Sequence, residues 1–182
     1  ENMSVLRPSV TLWKRELVRF FRQRSRIVGA LGTPLMFWFV LGSGIGTSFS
    51  LPMENGTMNY MEYFFPGTIV MILLFTSIFA TISIIDDRKE GFLQCVLVAP
   101  IPRSTIALGK IAGSTTIALI QGVVFLCLAP LVVELSLLAI PLTLVVLGLV
   151  AFGLTGLGYT IAWSLDSTQG FHAIMNLFLI PL

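Results

Sequence analysis

Four long stretches without any charged residue constrain this chain more than any other feature. They hold 27, 23, 23 and 31 residues and lie between Arg26 and Glu54, Glu62 and Asp86, Lys110 and Glu134, and Glu134 and Asp166. An α-helix needs about 20 apolar residues to cross the roughly 30 Å hydrocarbon core of a bilayer. Each stretch is therefore long enough for one crossing, and a shorter stretch of 16 residues follows Asp166.

The composition agrees with a membrane protein, because only 11% of the residues are charged, against about 25% in a typical soluble domain. Only helices and closed barrels satisfy the backbone inside a bilayer, and these stretches lack the alternation of barrel strands. We predict an all-α, polytopic helical membrane protein with a single transmembrane domain over residues 1–182. The predicted spans are 27–47, 63–85, 105–132, 139–163 and 168–182. Because the chain opens with Glu1 and closes inside an apolar run, we expect a fragment of a longer protein, with the fifth span incomplete.

The lysine and arginine residues predict the orientation of the chain. Seven lie before the first span, and the other four lie between the second span and the uncharged run that begins after Lys110. Cytoplasmic loops of membrane proteins carry an excess of these residues. We therefore expect a multi-pass protein of the inner or plasma membrane, with the N-terminus and residues 86–104 in the cytoplasm. The loops 48–62 and 133–138 are then external.

Residues 9–26 have the pattern of an amphipathic helix that lies in the membrane interface. At 100° per residue one face is apolar and the opposite face is basic: Trp13, Leu17, Phe20 and Phe21 on the first, and Arg15, Arg19, Arg22 and Arg26 on the second. We expect the arginines to face lipid phosphates. Glu16 flanks the two faces and is expected to pair with Arg19 or Lys14. The helix either only anchors the first span or also binds a partner.

The charged run from Asp86 to Glu90 interrupts the apolar sequence. It is followed by "GFLQCVLVAP", which predicts two to three helical turns that end at Pro100 and Pro102. A short cytoplasmic helix with an uncovered apolar side suits docking to another protein. The alternative is a basic inner loop that only holds the topology.

The chain resembles the membrane subunits of type-2 ATP-binding-cassette (ABC) exporters, which include drug-resistance and polysaccharide or lipid export permeases. The similar segments are "KREL" at 14–17, "FFPGTIVMILLFTSIF" at 64–79, "DDRKEGFLQCVLVAPIPRSTIALGK" at 86–110 and "TQGFHAIMNLFLIPL" at 168–182. They occur in the family's order along nearly the whole chain.

The resemblance implies six spans per complete subunit, a second permease copy, and two ATP-binding subunits that hold ATP and Mg²⁺. It also implies that the entry helix and the first cytoplasmic segment contact those ATP-binding subunits. Residues 86–98 match the family's coupling segment, and Glu90 with Gly91 matches its acidic-glycine element. The candidate coupling residues are therefore Arg15, Glu16, Arg19, Asp86, Asp87, Arg88, Glu90, Gly91 and Phe92.

No pattern in the sequence predicts a catalytic residue or cofactor in this chain itself. The nearest approach to a phosphate-binding loop, "LGKIAGSTT", lacks Ser or Thr after Lys110. The chain has one histidine and no predicted metal cluster, and no nucleic-acid-binding motif is present. Cys95 and Cys127 are expected at different depths, which argues against a disulfide.

A few polar residues interrupt the predicted spans. Gln121 lies in the third span, and Gln169, His172 and Asn176 form a stripe along the fifth. Polar side chains inside a membrane line an aqueous path or form hydrogen bonds between helices. Both interpretations stay open here, the first making these residues part of a substrate path. The glycine pair Gly109 and Gly113 is expected to let two helices approach closely.

The sequence therefore favours a permease subunit of an ABC exporter that moves an amphipathic or lipid-like substrate outward, with ATP hydrolysis on a separate subunit. Two alternatives come from other classes. A membrane-embedded lipid-modifying enzyme would have to use the acidic cluster Asp86, Asp87 and Glu90. A membrane scaffold would not transport anything.

Overall fold

The computed structural model describes residues 2–45, 50–53, 56–99, 101–132 and 139–179. Within those ranges the chain forms seven α-helices, one short 3-10 helix and one two-stranded hairpin. The helices are α1 (Asn2–Arg22), α2 (Arg24–Ile45), α3 (Tyr60–Lys89), α4 (Phe92–Val98), α5 (Arg103–Leu126), α6 (Ala139–Ser164) and α7 (Thr168–Leu179). The 3-10 helix covers Ala129–Leu131.

Four helical segments are long and apolar enough to cross a membrane: Arg24–Gly44, Tyr60–Lys89, Arg103–Leu131 and Ala139–Ser164. The predicted all-α, polytopic class is therefore confirmed, with four such segments among the described residues instead of five. The expected fifth span begins at Thr168 as predicted, but α7 has 12 residues. The expected outer loop 133–138, residues 180–182 and the side chain of Asn176 lie outside the description.

A small hairpin precedes α3 and was not predicted. Strands β1 (Ser50–Met53) and β2 (Gly56–Asn59) pair antiparallel, with Ser50 opposite Asn59. The next helix starts at once, because the Asn59 side chain accepts a hydrogen bond from the Tyr60 amide at 2.8 Å. Glu62 completes a capping box by accepting from the Asn59 amide.

Helix α3 is the central element, and it packs against α2, α5, α6 and α7. Its interior face joins two apolar clusters, one around Phe65, Ile69, Ile72 and Leu73 and one around Ile78, Ile82 and Ile85. Three hydroxyl side chains on α3 are satisfied within the helix, those of Thr68, Ser77 and Thr81, whereas Thr76 and Ser83 donate to other helices. Ser77 and Thr81 donate to carbonyls four residues earlier, each at 2.7 Å, so these polar groups enter an apolar interior without an unmet hydrogen bond.

Helices α1 and α2 are separated by a single non-helical residue, Gln23. Helix α1 packs alongside the first half of α5, and the two helices run in the same direction. The Ser9 hydroxyl donates to the Thr105 carbonyl at 3.4 Å, and further along both helices the Trp13 indole donates to Thr116 at 3.0 Å. The amphipathic helix therefore contacts protein along its length and is not supported by the membrane interface alone.

The charged run belongs mostly to α3, which differs from the predicted loop starting at residue 86. Helix α3 continues through Lys89, and only Glu90 and Gly91 form a turn before α4. The predicted short helix after the charged run is present as α4. Ala99 follows the end of α4 and Pro102 precedes the start of α5. Pro100 lies outside the described residues.

Candidate functional site

Three helices each place one charged side chain at a common buried point. Lys110 of α5 is 1% exposed, Glu16 of α1 is 3% exposed and Asp87 of α3 is 0% exposed. The Lys110 ammonium donates to Glu16 Oε1 at 2.7 Å and also forms an ion pair with Asp87. We call this end of the helix bundle, where Asp87 and Lys110 lie, the charged end.

Arginines of α1 surround this centre. Arg15 donates two hydrogen bonds to the Asp87 carboxylate, at 3.0 and 2.8 Å, and Arg19 forms an ion pair with the same carboxylate. The second oxygen of Glu16 accepts from the Ser83 hydroxyl at 2.6 Å. Hydrogen bonding to Asp87 raises the pKa of Arg15 above its ordinary value, so this guanidinium stays charged.

Buried ions persist only when partners replace the water they have lost, since desolvating each ion costs several kcal/mol. Here Glu16 and Asp87 together meet three cations, so neither carboxylate is left uncompensated. The arrangement locks α1, α3 and α5 together at the charged end. Removing one partner is expected to cost far more than the same change at the surface.

Two further ion pairs extend the network along both sides of α3. Arg26 at the start of α2 contacts Asp86 at 2.6 Å and the Phe79 carbonyl at 3.2 Å. Arg88 contacts Asp166 at 2.7 Å and donates to the Trp163 carbonyl. The end of α3 is thereby fastened to α2 and to the turn between α6 and α7.

These contacts correct two predictions about the entry helix. Arg15, Arg19 and Arg26 face carboxylates of α3 and were wrongly predicted to face lipid phosphates. Glu16 pairs with Lys110 of α5, and its predicted partners Lys14 and Arg19 were wrong. The helical wheel located both faces but had no information about which helix lies beside each face.

The turn between α3 and α4 depends on one glycine. Gly91 has φ of 75° and ψ of −3°, the left-handed conformation that residues with a Cβ rarely adopt. Glu90 before it is 61% exposed in its side chain and pairs with Arg19 at 3.2 Å. The turn reverses the chain so that α4 returns toward α1.

Helix α4 has one covered and one open side. The Arg15 guanidinium lies 3.6 Å from the centre of the Phe92 ring, and Leu93 is buried with Leu12 and Ile106. On the other side Leu97 is 39% exposed and Val98 is 86% exposed. The prediction of an uncovered apolar side is wrong for Phe92, Leu93 and Val96, which pack inward; the exposed apolar residues are Leu97 and Val98.

The close packing of α1 on α5 depends on the two glycines that the sequence singled out. A Cβ on Gly109 would stand 2.9 Å from the Leu12 Cβ, and one on Gly113 would stand 2.8 Å from the Glu16 Cβ. Real Cβ atoms do not approach so closely. The expected role of this pair, close helix approach, is confirmed at these two positions.

The polar residues of the predicted substrate path are not brought together by any described contact. Gln121 is 3% exposed, and its Oε1 accepts a hydrogen bond from Thr76 of α3, while its buried Nε2 has no hydrogen-bond partner among the described residues. The His172 ring lies edge-on to Phe79, with ring centres 6.0 Å apart. Gln169 is exposed on α7. For Gln121 the contact is the hydrogen bond between helices that the sequence left as one alternative.

Sequence reasoning missed Lys110 as a member of the site and counted it only toward orientation. A signal was available, since an ionisable residue followed by a long uncharged run marks a functional or structural site by default. Lys110 lies seven residues inside the start of α5, between the two glycines that admit α1. Ser83 carried no signal of its own, because the hydroxyl of a serine in an apolar helix can form its hydrogen bond with several different partners.

Comparison with known proteins agrees with this architecture. The profile described as "ABC-2 type transporter" matches residues 9–182. The chain is 28% identical over 154 residues to the inner membrane transport permease YadH of Escherichia coli, covering 81% of this chain and 58% of that protein. No solved structure matches it significantly.

Two relatives carry the name putative transport permease ycf38. The protein of Porphyra purpurea is 26% identical over 184 residues, covering 99% of this chain and 62% of its own length. That of Cyanophora paradoxa is 29% identical over 90 residues, covering 50% of this chain and 31% of its own length. This chain thus spans less than two thirds of each relative. With a profile match over nearly its whole length and four helices suited to membrane crossing, the chain belongs to the ABC-2 type transporter family.

Proposed function

We propose that this chain is the permease part of an ABC exporter that moves an amphipathic or lipid-like substrate outward. ATP and Mg²⁺ are held by a separate ATP-binding subunit at the charged end, and a second copy of the permease completes the path. The relatives are named transport permeases, which supports a role in transport. The charges support the orientation, because ten of the 11 lysines and arginines belong to the segments expected in the cytoplasm, and the remaining one, Lys110, lies near the start of α5.

The observation that carries the proposal is the open side of α4. Val98 is 86% exposed and Leu97 is 39% exposed, next to a network of charged residues where the membrane-spanning helices end. Exposed apolar residues beside polar ones are typical of protein interaction sites. The inward side chains of Phe92 and Leu93 hold α4 against the rest of the protein. This arrangement suits an element that binds a partner and transmits its movement.

The ion network gives that movement a route into the spans. Arg15 contacts both Phe92 of α4 and Asp87 of α3, so α4 and α3 share one side chain. Lys110 extends the connection to α5. A displacement of α4 when the ATP-binding subunits close therefore reaches two membrane-spanning helices through charge-assisted bonds, which are stronger than neutral hydrogen bonds.

The same network weighs against a lipid-modifying enzyme. That interpretation needed free acids at Asp86, Asp87 and Glu90, and each of them forms an ion pair with an arginine. Asp87 is also fully buried. Carboxylates held in this way serve structure better than proton transfer to a lipid.

The test is retention of the ATP-binding subunit by the complete protein after detergent solubilisation. We expect Val98→Ser to reduce retention several-fold, because it removes apolar contact area from the docking side. Leu131→Ser is the matched control, since Leu131 is 81% exposed in the 3-10 helix that follows the far end of α5. Equal retention by wild type and both variants would contradict the docking role of α4.

A further inference from the structure

A pocket of about 430 Å³ lies between the second half of α1 and the turn that follows α3. We call it the α1 pocket, and its lining residues are Arg15, Val18, Arg19, Arg22, Gln23 and Glu90. Val18 is 50% exposed and the Glu90 side chain is 61% exposed, so the pocket is open to the surroundings of the protein.

The ends of two membrane-spanning helices place the α1 pocket at the membrane surface. Gln23 directly precedes the span of α2, and Glu90 directly follows the span of α3. The ion pair of Arg26 with Asp86 joins these two ends in space. The α2 span has 21 residues, or about 32 Å, which is close to the roughly 30 Å of the hydrocarbon core. Its first residue therefore lies at the edge of that core, and the pocket lies among the lipid headgroups.

Arg22 is the one cation of the α1 pocket for which the structure describes no ion-pair partner. Arg15 and Arg19 both bind Asp87, and Arg19 also binds Glu90. Arg22 is exposed and forms no ion pair with any acid that the structure describes. Of the four arginines predicted on the basic face of α1, three therefore bind carboxylates of α3, and Arg22 is left for an anionic ligand.

The same pocket contains acceptors for a hydrogen-bond donor. Glu90 accepts from Arg19 through Oε1, and a carboxylate has enough lone pairs to accept from a further donor. Gln23 adds a second acceptor, since its Oε1 has no hydrogen-bond partner among the described residues. The pocket therefore offers a cation to a phosphate and an exposed acid to a donor beside that phosphate.

We propose that the α1 pocket binds the headgroup of phosphatidylethanolamine from the surrounding leaflet, with the phosphate on Arg22 and the ammonium group on Glu90. This headgroup carries one anion and one cation next to each other, as the pocket does. Charge-assisted hydrogen bonds of this kind are roughly twice as strong as neutral ones. Phosphatidylcholine has the same phosphate, but its nitrogen is fully methylated and has no hydrogen to donate. The site shares Glu90 with the proposed coupling segment, but binding of a headgroup does not require transport.

The first experiment is a lipid titration of the complete permease without its ATP-binding subunit, read by native mass spectrometry. Phosphatidylethanolamine, phosphatidylcholine and phosphatidylglycerol with identical acyl chains are compared. We expect the wild type to bind phosphatidylethanolamine about tenfold more tightly than phosphatidylcholine, because one of the two can donate a hydrogen bond to a carboxylate. Phosphatidylglycerol has the phosphate but no ammonium group, so it should bind less tightly than phosphatidylethanolamine.

Two variants separate the phosphate contact from the ammonium contact. Arg22→Gln should weaken the binding of all three lipids, because they share the phosphate. Glu90→Gln should abolish the preference for phosphatidylethanolamine and leave the affinity for phosphatidylcholine unchanged. Arg24→Gln and Asp166→Asn are the matched controls, since each removes an exposed charge outside the pocket, and both should keep the wild-type affinities.

The second experiment locates the bound lipid. A benzophenone is attached to Val18→Cys in a Cys95→Ser/Cys127→Ser background, and the protein is placed in vesicles with equal amounts of phosphatidylethanolamine and phosphatidylcholine. After illumination, the adducts at position 18 should contain phosphatidylethanolamine in excess. Val10→Cys is the control, because Val10 is 54% exposed on the same helix and does not line the pocket. Its adducts should contain the two lipids in equal amounts.

Three results would overturn the proposal. One is equal affinity of the wild type for phosphatidylethanolamine and phosphatidylcholine, which would leave the ammonium group without a role. Another is a loss of affinity in Arg24→Gln as large as that in Arg22→Gln, which would show a general effect of surface charge. The third concerns the assembled transporter: a label at position 18 that reacts with the ATP-binding subunit and not with lipid would make the pocket part of the subunit interface.

Discussion

Lys110 and Glu16 meet in the interior of the protein with Nζ 2.7 Å from Oε1, although 94 positions separate them in the chain. Lys110 also forms an ion pair with Asp87, so its ammonium group lies between two buried carboxylates. The contact joins the entry helix to a helix that crosses the membrane. It therefore makes α1 a structural part of the bundle and gives the first two predictions a common basis.

Replacing Lys110 with methionine should destabilise the protein strongly. Glu16 and Asp87 would lose their buried lysine partner, and breaking a buried ion pair from one side costs about 3–5 kcal/mol. The measurement is the free energy of unfolding in mixed micelles. Lys89→Met, at an exposed lysine, is the control and should stay within about 0.5 kcal/mol of wild type. Equal stability of the two variants would show that the ion pairs of Lys110 do not stabilise the fold.

Replacing Gly109 with alanine should separate α1 from α5. The new Cβ would stand 2.9 Å from the Leu12 Cβ and 3.0 Å from the Ser9 carbonyl oxygen, and such overpacking costs about 1–3 kcal/mol. Gly148→Ala is the matched control, because a Cβ there would meet open space, with no atom of another described part of the chain within 4 Å. Thermal unfolding in detergent should show a lower midpoint for Gly109→Ala alone. A similar midpoint for both variants would contradict the close approach.

Replacing Gln121 with leucine should leave transport intact. Gln121 is buried against Thr76 and has an unpartnered amide nitrogen, and such bonds in membrane helices average about 0.6 kcal/mol. Thr76→Val removes the same bond from the other side and should have a similar small effect on the free energy of unfolding. Loss of export by Gln121→Leu, with unfolding unchanged and Thr76→Val active, would instead place Gln121 in the substrate path.

Replacing Gly91 with alanine should disturb the turn that leads into α4. The left-handed conformation costs an ordinary residue about 1–2 kcal/mol, and Gly91 is in that conformation with φ of 75°. We expect reduced stability together with weaker retention of the ATP-binding subunit, and a milder effect for Gly91→Asn. Gly67→Ala, in a helical glycine with open space around its Cβ, is the control. Retention equal to wild type in Gly91→Ala would show that the turn geometry does not position α4.

Replacing Glu90 with glutamine should uncouple ATP hydrolysis from export without unfolding the protein. Glu90 is mostly exposed and pairs with Arg19 at 3.2 Å, and an exposed ion pair is worth less than about 1 kcal/mol. ATPase activity and export are measured in proteoliposomes containing both subunits. Asp166→Asn removes another exposed ion pair and should leave both activities coupled. Export unchanged in Glu90→Gln would remove this residue from the coupling role.

The spans and the entry helix were predictable because they depend on local properties of the sequence. Uncharged runs set the positions of α2, α3, α5 and α6, and the 3.6-residue periodicity set the two faces of α1. The helix after the charged run was predictable for the same reason. The end of α3 was less so, because Asp86 and Asp87 look like loop residues until their partners are known.

The pairing inside the site could not be predicted, because it depends on which helices are neighbours. Arg15 and Asp87 are 72 positions apart, and no local pattern states that α1 lies beside α3 and α5. The basic face of α1 had an equally reasonable partner in lipid phosphates. Lys110 lies between two glycines and precedes a long uncharged run. It was the one local sign that a charged residue of another helix contacts this position.

The contact between α1 and α5 also sets an order for biogenesis. During synthesis Glu16 and Arg15 leave the ribosome long before Asp87 and Lys110 exist, so the first helix emerges with its inner charges unmatched. It has to wait, in water or among headgroups, until the three membrane-spanning helices α2, α3 and α5 have been inserted. Helix α1, although made before α3 and α5, therefore docks only after both of them are in place.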